Sequence, residues 1–112
     1  MSLKTDYLDG ANGFTQKMAT VFAAGQQFVT DNRAAIQADL ETNAAQGNKT
    51  FTVKYLTAFE PVNLRLQGNH MKTYFSGIRA GLLSEEIYEQ EVVITLDTSD
   101  QTDTYVQLAF TL

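Results

Sequence analysis

One change of rhythm constrains this chain more than any other feature. Up to about residue 49 apolar side chains recur every three or four positions; over residues 50–59 they alternate; around residues 63–83 the wider spacing returns; the last stretch alternates again. A spacing of three and four puts side chains on one stripe of a helix, and alternation puts them on one face of a strand. Phe14, Met18, Val21, Phe22, Gly25, Phe28 and Val29 form the first stripe. The opening nine residues read as a short helical turn or arm that Gly10, Ala11, Asn12 and Gly13 bring to an end. Thr30, Asp31 and Asn32 supply side-chain acceptors for the free amides of a new helix start, so a second helix is expected over 33–45, with Ile36 and Leu40 as a narrow stripe and Gly47 as its stop.

After that point Phe51, Val53, Tyr55 and Phe59 alternate with Thr50, Thr52 and Lys54, as a half-buried strand requires. Glu60 and Pro61 break it, and Asn63 caps a long helix in which Leu64, Met71, Phe75, Ile78 and Leu82 keep the helical spacing. Gly68, Gly77 and Gly81 each cost that helix roughly 1 kcal/mol relative to alanine, which implies a close approach to a neighbouring backbone or a bend near Gly68. Residues 88–97 read as a second strand, with Val92, Ile94 and Leu96 on one face and Glu89, Glu91, Thr95 and Asp97 on the other. Residues 104–112 read as a third, with Val106, Leu108, Phe110 and Leu112 inward.

Strands with one apolar face beside helices with one apolar stripe predict a single α+β domain over residues 1–112. The expected architecture has two layers, in the order α-α-β-α-β-β, with a three-stranded, mainly antiparallel sheet covered on one face by helices. The third strand carries no charge and suits the centre, which predicts the strand order 1-3-2, with Lys54 on one edge and Glu89 and Glu91 on the other.

Composition narrows the chemistry. With no cysteine, disulfides, thiolate metal sites and cysteine nucleophiles drop out, and a single histidine, His70, makes an imidazole-rich metal centre improbable. The longest apolar run, residues 21–24, is far short of the roughly 20 residues of a membrane span, and no basic leader precedes a hydrophobic stretch. A cytoplasmic protein is expected. Charge is lopsided: residues 1–79 carry eight bases against six acids, and residues 80–112 seven acids and no base. A solubilising surface accounts for this, and so does a surface that recruits basic partners.

No residue set carries recognisable catalysis, and no catalytic, cofactor or metal residue is expected. His70 has no serine or acid at a spacing that would make it a general base, and reads as a surface or boundary imidazole. Asp97, Asp100 and Asp103 lie three apart without the glycine of a calcium loop, and suit a hairpin tip better. Glu85, Glu86, Glu89 and Glu91 lack converging aromatic or arginine side chains and read as a solvated edge. Phe51 and Tyr55 share the core face with only Lys54 outside, so no nucleic-acid or membrane partner is expected.

The opening Met1-Ser2-Leu3-Lys4-Thr5-Asp6-Tyr7, the Ala- and Gln-rich helical half, the stretch from Thr73 through Leu82 and the final Val106-Gln107-Leu108-Ala109-Phe110-Thr111-Leu112 together resemble small virion-associated or uncharacterised proteins of tailed bacteriophages. That resemblance implies a part in particle assembly or host interaction. The expected function is a non-enzymatic structural or interaction module that self-associates, as a dimer first of all, through the uncovered sheet face at Leu56, Glu89, Glu91, Val93, Tyr105 and Gln107, with Ala109 beside them. A small-molecule-binding protein or minor enzyme with a pocket between helices and sheet, using Arg65, His70, Tyr74 or Arg79 as polar contacts, is the rival reading. An acidic inhibitor that occupies a host protein's basic site through residues 85–103 is the third.

Overall fold

The computed structural model describes residues 3–57, 68–100 and 102–111, with side chains from residue 16 onward apart from residue 69. Its elements are α1 (Leu3–Ala45), β1 (Thr50–Thr57), α2 (Gly68–Ser84), a 3-10 turn (Glu89–Glu91), β2 (Val92–Asp97) and β3 (Thr104–Thr111). The three strands form one sheet in the order β1-β3-β2, both pairings antiparallel, so β1 and β2 run parallel to each other with β3 between them. The helices cover one face, and the α+β architecture and strand order read from the sequence hold.

The helical half departs from expectation. Neither Gly10 and Gly13 nor residues 30–32 interrupt α1, which runs unbroken for 43 residues. At a rise of about 1.5 Å per residue it is about 64 Å long, which matches the longest dimension of the molecule, 64 Å. The side chains expected to cap a new helix bond backwards instead. Thr30 Oγ1 donates to the Gln26 carbonyl at 3.3 Å, Asn32 Nδ2 donates to the Phe28 carbonyl at 2.9 Å, and Asp31 accepts from Gln27 Nε2 at 2.7 Å. Ser, Thr, Asn and Asp side chains serve either arrangement. Here the burial of Val29 and Ile36 on one continuous stripe decides for the helix.

Both helices end on the same device. Asn48 N–H donates to the Asn43 carbonyl at 2.9 Å and Gly47 N–H to the Ala44 carbonyl at 3.1 Å, with Gly47 at φ 76°, the stop predicted there. At the end of α2, Ile87 N–H donates to the Leu82 carbonyl and Glu86 N–H to the Leu83 carbonyl, both at 3.0 Å. The left-handed position is held there by Glu86, at φ 64°, where glycine is the unstrained choice.

α1 and α2 run parallel in a constant register. Gly25 lies against Gly77, Val29 against Gly81, and Arg33 pairs with Glu85, each 52 positions apart. At the crossing the backbones touch: a Cβ on Gly25 would run into the Tyr74 carbonyl oxygen, and one on Gly77 into the Phe22 carbonyl oxygen. A Cβ on Gly81 would stand 2.9 Å from the Val29 side chain. Of the two readings the sequence left open, a close backbone approach holds at Gly77, while Gly81 makes room for the Val29 side chain.

The close crossing turns α2 relative to the sequence reading. Met71, placed on the apolar stripe, is exposed, while Tyr74, placed among polar pocket contacts, is buried together with His70, Ile78 and Leu82. The core forms where this seam meets the inner sheet face: Tyr55, Val92, Ile94, Val106, Leu108 and Phe110 are buried, with Phe51, Val53 and Leu96 packed at their margin. Phe28 stands edge-on to both Tyr55 and Tyr74, with ring centroids 6.5 and 6.4 Å away. The two tyrosine hydroxyls find partners inside: Tyr55 donates to Asp39 Oδ2 at 2.5 Å, and Tyr74 shares a 2.6 Å hydrogen bond with Thr57 Oγ1. The expected strand residues Phe59 and Leu112, the helix start at Asn63 and Leu64, and Arg65 lie outside the described residues.

Gly77→Ala is expected to lower the unfolding free energy by about 2–3 kcal/mol, because the helices must separate to admit one methyl. Ser76→Ala, one exposed position earlier, is expected to change it by less than about 0.5 kcal/mol. Urea denaturation of the two variants checks the difference.

Candidate interaction surface

The outer face of the sheet is built by register. Leu56 is opposite Tyr105, Lys54 opposite Gln107, and Thr52 opposite Ala109, while on the other side of β3 Val93 faces Ala109, Thr95 faces Gln107 and Asp97 faces Tyr105. Leu56 and Val93 are 58% and 63% exposed, and they sit at opposite corners of this face. Between them Lys54 reaches diagonally from one edge strand to the other: its Nζ lies 2.9 Å from Asp97 Oδ2 and 5.5 Å from the centroid of the Tyr105 ring. Asp97 also accepts from Ser99, from the hydroxyl at 2.6 Å and the amide at 2.9 Å. The Ser99 hydroxyl first, then the Lys54 ammonium, hold its carboxyl well below the usual range. Lys54, read as an edge guard, is thus a strap across the face, and Tyr105 is half-buried beneath it.

Glu89 and Glu91 do not belong to this face. The alternation places them on β2, but β2 begins only at Val92, opposite Phe110. Residues 89–91 close a 3-10 turn instead, in which Glu91 N–H donates to the Tyr88 carbonyl at 2.9 Å and Glu91 Oε2 accepts from the Tyr88 amide at 3.3 Å. Of the six residues assigned to the sheet face, Leu56, Val93, Tyr105 and Gln107 are brought together there.

The expected pocket does not assemble around its four residues. His70 and Tyr74 are buried one turn apart in the core, Arg79 is exposed farther along α2, and Arg65 is outside the described residues. His70 is therefore a core residue, not a surface or boundary one, since it shares the face of α2 that Tyr74 and Ile78 bury.

The clefts lie elsewhere, around the end of α2. One of about 300 Å³ runs between α1 and the turn after α2, with a floor of Val29, Ile36, Leu40, Leu82 and Ile87 and a rim where Arg33 Nε meets Glu85 Oε1 at 2.9 Å. A second, of about 310 Å³, lies on the other side of Leu82 and Ile87 and is lined by Arg79, Leu83, Tyr88 and Glu89. No sequence pattern marks these clefts, because they depend on where α2 stops relative to α1.

Among the described residues no group of three metal-ligating side chains converges, and no helix is long and apolar enough to cross a membrane. At the expected cation loop, Asp100 Oδ1 accepts the amides of Thr102 and Asp103 at 2.7 and 3.0 Å, an arrangement that closes a turn. Comparison with protein-family models, curated proteins and solved structures finds no match to this chain.

Two measurements follow from this geometry. Because the folded state holds the Asp97 carboxyl below its unfolded value, its contribution to stability is complete above about pH 4 and is lost as the pH falls below that. Asp97→Asn is expected to flatten this acid limb, as followed by urea midpoints from neutral pH downward. Glu86→Gly, which relieves the left-handed backbone, is expected to raise the unfolding free energy by about 0.5–1 kcal/mol, read as a higher melting temperature.

Proposed function

We propose that this chain is a non-enzymatic interaction module that self-associates through the outer face of its sheet. The carrying observation is the uncovered face itself: Leu56 and Val93 stand more than half exposed on it, and no described element packs over them. The face has the same patch to offer in each copy, which is what a twofold dimer requires. Its one cation is already matched to Asp97, so two such faces meet without stranding a charge. A part in particle assembly or host interaction, as the resemblance to tailed-phage proteins implies, belongs to the same proposal. A small-molecule role gains no support from His70, Tyr74 and Arg79, which do not share a described cleft.

Sedimentation over a dilution series is expected to show a dimer at micromolar concentration that dissociates on dilution. Val93→Lys is expected to leave a monomer whose unfolding midpoint equals that of the wild-type chain diluted until its dimer has dissociated. A wild-type chain that sediments as a monomer at every concentration overturns the proposal.

A further inference from the structure

Lys54 on β1 and Asp97 on β2 are the only charged side chains of the three strands, and both belong to the outer face. Their hydrogen bonding is unfinished. An ammonium has three donors, and each carboxylate oxygen has two acceptor positions. Lys54 Nζ reaches one acceptor, Asp97 Oδ2 at 2.9 Å, and otherwise lies over the Tyr105 ring, 5.5 Å from its centroid. Asp97 Oδ1 takes two bonds from Ser99, whereas Oδ2 takes only the one from Lys54. Two ammonium N–H groups and one carboxylate position are therefore without a partner among the described residues. The Lys54 and Asp97 side chains are 47% and 20% exposed, so a surface laid on the sheet meets both.

A second copy closing over this face takes the pair out of water, and a buried ion pair costs stability unless its remaining donors and acceptors are also met. The strands of that copy offer one anion for the purpose, the partner's Asp97. The register places it within reach. β1 and β2 lie on either side of β3, with Lys54 level with Gln107 and Asp97 level with Tyr105. The pair thus spans a diagonal about 10 Å across the strands and about 7 Å along them. A twofold axis between the two faces, at right angles to this diagonal and over its midpoint, exchanges its ends. Lys54 then comes over the partner's Asp97, and Asp97 over the partner's Lys54. The same operation brings Leu56 against the partner's Tyr105 and Val93 against the partner's Val93, so that both exposed apolar corners are covered.

We infer that the sheet faces pair in this one orientation, with each Lys54 ammonium held between Asp97 of its own chain and the partner's Asp97. The inference rests on the sheet face being the dimer surface. It adds that these two charges select the orientation, and that the dimer weakens as salt rises.

Lys54→Glu and Asp97→Lys are each expected to sediment as monomers at concentrations where the wild-type chain is a dimer, because like charges then meet across the axis. An equal mixture of the two variants is expected to regain a dimer within about tenfold of the wild-type Kd. Neither variant holds an ion pair of its own, so each charge finds its opposite only on the other chain. Circular dichroism checks that both variants fold. The chain has no cysteine, which allows a second measurement without charge reversal. Val93→Cys is expected to cross-link to itself under mild oxidation, and Thr52→Cys, exposed on the same face, is not. If either charge variant fails to fold, the cysteine variants decide alone. A wild-type dimer whose variant mixture stays monomeric, or in which Thr52→Cys cross-links and Val93→Cys does not, overturns the orientation and leaves the sheet-face dimer standing. A wild-type chain that is monomeric at every concentration overturns both.

Discussion

Everything in the helical layer depends on the contact between Gly25 and Gly77. Two helices whose backbones meet at one point cannot slide without driving a side chain into a carbonyl, so their register is set there and propagates along the pair. Farther along, Val29 fills the space over Gly81 and Arg33 reaches Glu85. The same contact holds Tyr74 and Ile78 toward the core, and it places Phe28 between Tyr55 and Tyr74, where three aromatic rings join the helices to the first strand. It also determines where α2 ends against α1, and with that the position of the clefts.

The molecule presents two surfaces of different character. The open sheet face is rich in threonine and has its single ion pair drawn across the middle. The end of α2 is concave, apolar at its floor and lined with carboxylates. The acidic C-terminal third divides between them. Asp97 is spent on Lys54 and Ser99, Asp100 on closing its loop, and Glu91 on the Tyr88 amide; Glu85 and Glu89 line the two clefts. Charge that reads in the sequence as one uniform tail is in the fold a set of separate local uses.

Much of the sheet was legible in the sequence because alternation has one structural meaning: every inward residue assigned to the described parts of the three strands points inward, and the uncharged strand lies in the centre. Gly47 was legible for the same reason, since a left-handed stop favours one residue. Residues 30–32 were not, because their side chains serve a helix start and a helix interior equally well, and only the burial of Ile36 on the Val29 stripe selects between them. The rotation of α2 was hidden because three glycines leave a helix without side chains to mark its face, so Met71 took the place that belongs to Tyr74. The reach of Lys54 to Asp97 was hidden by distance in the chain. So was the start of β2, since the turn that takes Glu89 and Glu91 out of the strand is closed by backbone and side-chain bonds between Tyr88 and Glu91 that leave no mark on the alternation.

The helix crossing has a consequence for ancestry. Most surface positions of such a chain are free to drift, and core positions tolerate exchange among side chains of similar volume, so overall likeness between descendants of one ancestor fades. A glycine midway along the first helix and its counterpart 52 positions on in the second have no substitute while the backbones touch. Distant kin of this chain would be told by those two positions and the offset between them long after the rest of the text had been rewritten.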